Sequence, residues 1–132
     1  MTVQPTEVEL QILNILWEQG PATVRQVHDH LQELKTTNYA TTVKMLVVMF
    51  EKGIVTRDQS VRPQVYKAAV TQKSTRKKVV RSLVDRMFSG STSKLVLEAL
   101  STKRNSPEEL EEIRRLVEEL QENERQSRKG SK

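Results

Sequence analysis

Residues 22–67 read ATVRQVHDHLQELKTTNYATTVKMLVVMFEKGIVTRDQSVRPQVYK, and this stretch decides the fold. Thr23 is placed to cap a helix whose inward stripe is Val24, Val27, Leu31 and Leu34. Lys35-Thr36-Thr37-Asn38 is a polar turn, and Asn38 or Thr37 can cap the helix that follows. That helix opens on hydroxyls, Tyr39-Ala40-Thr41-Thr42-Val43-Lys44, and stops at Glu51-Lys52-Gly53. Its expected inward set is Tyr39, Val43, Leu46, Val47 and Phe50, with Ala40, Thr41, Lys44, Met45 and Val48 on the opposite edge. Ile54-Val55-Thr56 and Val65-Tyr66-Lys67 then read as two strands around a polar turn, Arg57 to Pro63. Isolated hairpins are marginal, so this one should pack on the helices through Ile54, Val65 and Tyr66. A helix pair followed by a hairpin is the pattern of a winged helix-turn-helix, a fold that puts the start of its second paired helix into the DNA major groove.

Upstream, Pro5-Thr6 precedes Glu7 and Glu9, acidic residues suited to a helix start. Leu10, Ile12, Leu13, Ile15, Leu16 and Trp17 give a wide apolar face on a helix of about 14 residues, and Gly20-Pro21 stops it. Downstream, the composition changes at Thr71. Residues 71–88 are basic and amphipathic, Ser89-Gly90-Ser91-Thr92 breaks the helix, and Leu95 to Leu100 forms a short apolar one. Ser106-Pro107-Glu108-Glu109 is a strong helix-start signal, followed by apolar residues at three-to-four spacing. The expectation is a mainly α chain with a small β-hairpin, made of a winged helix-turn-helix domain over 1–70, a helical dimerisation region over 71–124 and a basic, disordered tail over 125–132. The last helices are too narrow to build their own core. Val80, Leu83, Val84, Met87, Leu95, Leu100, Leu110, Ile113, Leu116, Val117 and Leu120 are therefore read as a homodimer interface, the alternative being that they fold back on the first domain of the same chain.

Composition bounds the chemistry. The 132 residues carry no cysteine, which removes disulfides, thiolate metal sites and cysteine nucleophiles together. Neither a signal sequence nor an apolar run of membrane-spanning length is visible, so the expectation is a cytoplasmic protein without direct membrane insertion. The net charge is +5, and its distribution is uneven. Residues 1–34 hold one basic and five acidic residues, whereas residues 35–70 hold six basic and two acidic. Positive charge thus gathers on the third helix and hairpin, where phosphate binding needs it.

From these residues the candidate DNA contacts are Thr23 and Arg25 at the start of the second helix, Lys35 in the turn, Tyr39, Thr41, Thr42 and Lys44 on the third helix, and Arg57 and Arg62 on the wing. A helix N-terminus offers unpaired N–H groups and a positive dipole to a phosphate. Lys44, one turn in, can reach a base edge or a phosphate. The catalytic reading is poor. His28-Asp29-His30 looks like a metal or acid–base cluster, but imidazoles two residues apart on a helix face different sides. Phosphate-loop, dinucleotide and nucleophile-elbow motifs are missing. The expectation is a non-enzyme with neither cofactor nor metal, binding double-stranded DNA; a winged helix used only for protein–protein contact is the alternative.

The segments PTEVELQILNILWEQGPATVRQV, NYATTVKMLVVMFEKGIVTRD, RPQVYKAAVT and FSGSTSKLVLEALS resemble the penicillinase-repressor family of bacterial transcription regulators, over roughly residues 4–122. The most specific parts are Glu9, Ile12, Leu13, Leu16 and Trp17 in the opening run, and the third helix running into Glu51-Lys52-Gly53-Ile54-Val55. The resemblance implies a dimeric, operator-binding repressor and, as partner, a membrane-bound metalloprotease sensor whose signal leads to repressor cleavage. Two features depart from the family. Copper-responsive members carry a cysteine-rich site that this chain lacks. Staphylococcal-type members are cut at an Asn-Phe bond between dimerisation helices, where this chain has Ser89, Gly90, Ser91, Thr92 and Ser93; that segment is the expected cleavage loop.

Overall fold

The computed structural model describes residues 5–130. Helix α1 (Glu7–Gln19) starts at Thr6, whose hydroxyl accepts from the Glu9 amide at 3.2 Å while the Glu9 carboxylate accepts from the Thr6 amide at 2.9 Å. This reciprocal cap satisfies two amides that the first turn would otherwise leave unpaired. Strand β1 (Ala22–Thr23) leads directly into α2 (Val24–Leu34), where Thr23 and Gln26 repeat the same cap at 3.2 and 2.9 Å. Helix α3 (Tyr39–Glu51) is capped by Asn38, whose side-chain oxygen accepts from the Thr41 amide at 2.8 Å. It ends at Gly53 with φ +80°, where the Gly53 amide donates to the Phe50 carbonyl and the Ile54 amide to the Met49 carbonyl. That left-handed residue turns the chain from helix into sheet, and glycine adopts it without steric cost.

Strands β2 (Val55–Asp58) and β3 (Val65–Ala68) form the wing. The sheet has three antiparallel strands in the order β1-β3-β2, with Ala22 opposite Tyr66 and Arg57 opposite Tyr66 on the other side. The hairpin of the sequence reading is therefore extended by a third strand, too short at two residues to carry an alternating pattern. The core joins Ile12, Leu13, Val27, Leu31, Leu46, Met49, Val55 and Tyr66.

Three expectations change, two about faces and one about the tail. On α3 the buried residues are Thr42, Leu46 and Met49, whereas Tyr39 and Phe50 are 39 % and 36 % exposed. Apolar residues fill both sides of this helix, so periodicity alone leaves its rotation open. On α2, Leu34 is 60 % exposed at the last turn. At the other end of the chain, Arg125 to Gly130 continue α6 (Pro107–Gly130) as helix where a disordered tail is expected; residues 131 and 132 of that tail lie outside the described residues. Pairs one turn apart support the extension: Arg128 with Glu124 at 3.0 Å and Gln126 with Glu122 at 3.0 Å. Basic residues in the last turn complement the helix dipole.

The described chain divides into two compact units between Leu83 and Val84, inside α4 (Gln72–Met87), rather than at 70/71. The start of α4 belongs with the first unit. There the Trp17 indole donates to the Val70 carbonyl at 3.0 Å, and Thr75, buried, donates its hydroxyl to the Thr71 carbonyl at 2.8 Å. The second unit holds α5 (Thr92–Ser101) and α6, with Ser106 capping α6 through the Glu109 amide at 3.0 Å as its sequence predicts.

One buried charge ties the first unit together. Glu9 is 1 % exposed, and Lys52, just past α3, places its ammonium 2.8 and 3.0 Å from the two carboxylate oxygens. Burial pushes the Glu9 carboxyl up, but the Lys52 ammonium and the Thr6 amide and hydroxyl outweigh it, so its pKa lies below the ordinary 4.5. The folded pKa being depressed, the stabilisation is complete above the unfolded pKa and is lost as pH falls through the folded value. Glu9→Gln should cost about 3 kcal/mol at neutral pH, the low end for breaking a buried pair because Lys52 keeps part of its hydration. In denaturant titrations the gap to the unmutated protein should narrow below about pH 4.5; a gap that stays constant down to about pH 3 contradicts the assignment.

Candidate nucleic-acid interface

The crossing of α2 and α3 is set by one buried polar contact. His28 Nδ1 lies 2.8 Å from Thr42 Oγ1, with His28 7 % exposed and Thr42 fully buried. On the far side of the ring, the Gln32 amide nitrogen is 3.0 Å from His28 Nε2. Gln32 also holds the turn, accepting from the Thr37 amide at 3.2 Å and donating to the Thr37 carbonyl. The two Thr37 contacts fix which end of the Gln32 amide is nitrogen. That nitrogen can only donate, so His28 Nε2 accepts and its Nδ1–H donates to Thr42. A single chain of hydrogen bonds therefore runs from α3 through α2 into the turn.

Above this buried layer lies the exposed start of α3. Tyr39 meets the His28 ring edge to face, centroids 5.4 Å apart at 85°. The Arg25 guanidinium lies over the Tyr39 ring, 4.4 Å from its centroid. Thr41 donates its hydroxyl to the Asn38 side-chain oxygen at 2.8 Å, closing the cap. Lys44 is exposed one turn further along, and Lys35 is exposed at the end of α2. Arg25, Tyr39 and Thr41 are thus gathered at one helix end, with Lys44 one turn further in. Thr23 sits at the start of α2 with its oxygen accepting from the Gln26 amide, which gives it a capping role.

Two expected DNA contacts are placed elsewhere. Thr42 cannot present its hydroxyl to a ligand, because the side chain is buried against His28. Arg57 is half-buried in β2, with its guanidinium 4.1 Å above the Phe50 ring and its buried Nε without a hydrogen-bond partner among the described residues. Phe50 is eleven residues beyond Tyr39, about 16 Å along the helix, so Arg57 packs on the far end of α3 from Arg25. Its position opposite Tyr66 in the ladder puts it on a strand and not at the tip of the wing. Arg62 does occupy the tip and is exposed. The tip is folded by Asp58, which accepts from the hydroxyl and the amide of Ser60; these hydrogen bonds hold its carboxyl below the usual range.

Sequence reasoning missed Gln32 and gave His28 only as half of a rejected metal pair. The burial of His28 was visible in principle, because it lies four residues after Val24 and three before Leu31, on the inward stripe of α2. Its partner was not, since nothing in the local pattern of α3 marks Thr42 as inward. Among the described residues, no group of three His, Asp or Glu gathers as a metal site, and no helix is long and apolar enough to cross a membrane.

The expected cleavage segment is a tight turn. Ser89 and Gly90 have φ +50° and +78°, the Gly90 amide donates to the Val84 carbonyl, and the Ser91 amide donates to the Phe88 carbonyl. Ser91 caps α5 through the Lys94 amide at 3.2 Å. Thr92 and Ser93 are therefore helical residues and not loop.

Of the expected dimerisation residues, Val80, Met87, Leu110, Leu116, Val117 and Leu120 are exposed, together with Val96 and Leu97, which the sequence reading leaves out. Leu83, Leu95, Leu100 and Ile113 are half-buried. Val84 departs from the expectation, being buried within the single chain.

Comparison with known proteins adds the following. The model of the family described as penicillinase repressor matches residues 5–119. Methicillin resistance regulatory protein MecI of Staphylococcus aureus (strain N315) is 21 % identical over 116 residues, covering 88 % of this chain and 94 % of that protein. The penicillinase repressor of Bacillus licheniformis is 23 % identical over 116 residues, covering 88 % and 91 %. A MarR family transcriptional regulator from Silicibacter pomeroyi DSS aligns in structure with a TM-score of 0.42 at 18 % identity, over 89 % of this chain and 69 % of that one.

Proposed function

The chain belongs to the penicillinase repressor family, and we propose that it is a dimeric transcriptional repressor that binds a palindromic DNA operator through α3 and the wing. The observation that carries the DNA reading is the exposed start of α3, where Arg25 lies over Tyr39 beside the Asn38-capped end and Lys44 is exposed one turn further in. Positive side chains and a helix N-terminus together suit a phosphate backbone. Lys44, facing outward one turn in, reads base edges, while Arg62 at the wing tip anchors on phosphate. With the operator selected from a random duplex pool, Lys44→Ala should relax discrimination at one position per half-site by about 1–3 kcal/mol. Arg62→Ala should weaken all sequences alike and lower the salt slope by about one unit per half-site. Absence of salt-dependent binding to any duplex would refute the DNA reading and favour a protein–protein role for the winged helix.

The dimer is supported by the state of the C-terminal helices: α5 and α6 contain no buried residue, although α6 alone is 24 residues long. Leucines and valines left exposed in one chain find cover in a second copy, and a two-fold dimer matches two half-sites. Leu116→Asp puts a charge into that contact. Sedimentation should then show monomers at micromolar concentration; a variant that stays dimeric removes α6 from the interface.

Release by proteolysis is the off-switch that family membership suggests, with a membrane-bound metalloprotease sensor as the partner that starts it. A protease takes its substrate extended, so the Ser89–Ser93 segment must open at the first turn of α5 before it is cut. A cut there would separate α5 and α6 from the DNA-reading part and dissolve the dimer. Limited proteolysis with mass mapping should find cleavage in this segment together with loss of operator affinity. Affinity unchanged after a mapped cut there means that repression ends by another route.

A further inference from the structure

Arg25 is the one basic residue in the first 34, and it sits in a segment with five carboxylates. Among the described residues its guanidinium is nevertheless not paired with an acid; it lies over the face of Tyr39, 4.4 Å from the ring centroid. The ring is itself held, because His28 meets it at 85° and His28 is fixed on both sides by Thr42 and Gln32. Tyr39 is partly exposed and Arg25 is exposed, so the stacked pair lies at the protein surface. A flexible arginine loses rotamer freedom when it engages a phosphate, and a ring that already holds the guanidinium flat removes that cost beforehand.

We propose that Tyr39 is a positioning residue for operator binding: it acts by holding the Arg25 guanidinium toward a backbone phosphate and does not itself touch DNA. Arg25 and Tyr39 then work as one unit, anchored through His28 to the buried face of α3. This assigns the aromatic ring at the head of α3 a role distinct from that of Lys44. It rests on the DNA-binding reading given above.

The test is a double-mutant cycle on the full-length protein with a selected operator duplex, read as affinity and as salt slope. Arg25→Ala should weaken binding by about tenfold and lower the salt slope by about one unit per half-site. Tyr39→Leu, which keeps apolar bulk but removes the ring face, should reproduce both effects. The double variant should lose no more than either single one. Tyr39→Phe should bind like the unmutated protein, since the ring and not the hydroxyl is used. A loss of affinity in Tyr39→Phe overturns the proposal by showing that the hydroxyl contacts DNA. Additive losses, or a Tyr39→Leu protein with weakened binding but an unchanged salt slope, overturn it as well, because a purely structural role for Tyr39 leaves the number of phosphate contacts alone. If the unmutated protein binds no duplex, the DNA reading itself falls and takes this inference with it. Steep salt-dependent binding with an additive cycle removes the Arg25–Tyr39 coupling alone.

Discussion

The hydrogen bond between His28 and Thr42, 2.8 Å long and shut away from water, is the contact on which the geometry of the two paired helices depends. A buried polar group without a partner costs more than a formed hydrogen bond returns, so each of these residues needs the other. The pairing fixes the rotation of α3, because Thr42 must face α2. Once Thr42, Leu46 and Met49 point inward, Lys44 and Thr41 point outward and Tyr39 comes to the rim. The surface offered to a ligand is therefore a consequence of an interior polar contact. Gln32 extends the constraint to the turn, so helix, turn and helix form one hydrogen-bonded piece.

A second constraint acts from the other end of α3. The Glu9 carboxylate caps α1 and at the same time binds Lys52. One buried acid thus joins the first turn of α1 to the C-terminal end of α3. With His28–Thr42 near the start and Glu9–Lys52 at the finish, α3 is fixed at both ends by polar contacts, and the apolar core fills the space between them. The aromatic residues displaced to the rim are not idle: Tyr39 carries Arg25, and Phe50 carries Arg57. Cations stack on π-faces at both ends of the helix, but only the Arg25 end lies beside the capped N-terminus.

The C-terminal helices obey a different logic. They are held in shape by local interactions: the Ser106 and Ser91 caps, pairs one turn apart such as Arg128 with Glu124, and a glycine turn between α4 and α5. Exposed pairs of this kind contribute only about 0.3–0.5 kcal/mol each. Local terms shape these helices but cannot by themselves hold them together, which is why the exposed leucines and valines of α6 matter to the proposed assembly.

The sequence by itself determined the order of the helices and the hairpin and most helix starts, because those are set by local chemistry; it did not show β1, the start of α5 or the end of α6. Thr6, Thr23, Asn38 and Ser106 cap the helices that follow them, Gly53 ends α3, and the family pattern runs through the same residues. It also put Lys44 on the outward edge of α3 and Arg62 at the wing tip, where both are exposed, but placed Arg57 at the tip as well, where the structure has it half-buried in β2. Tertiary structure alone decided the rotation of α3, the burial of Thr42, the stacking of Arg57 on Phe50, the union of Glu9 with Lys52 and the place of the division within α4. The two buried polar pairs depend on partners far away in the chain: 14 residues separate His28 from Thr42, and 43 separate Glu9 from Lys52. Periodicity measures only near neighbours, so on a helix with apolar residues all round it cannot say which side will find its partner.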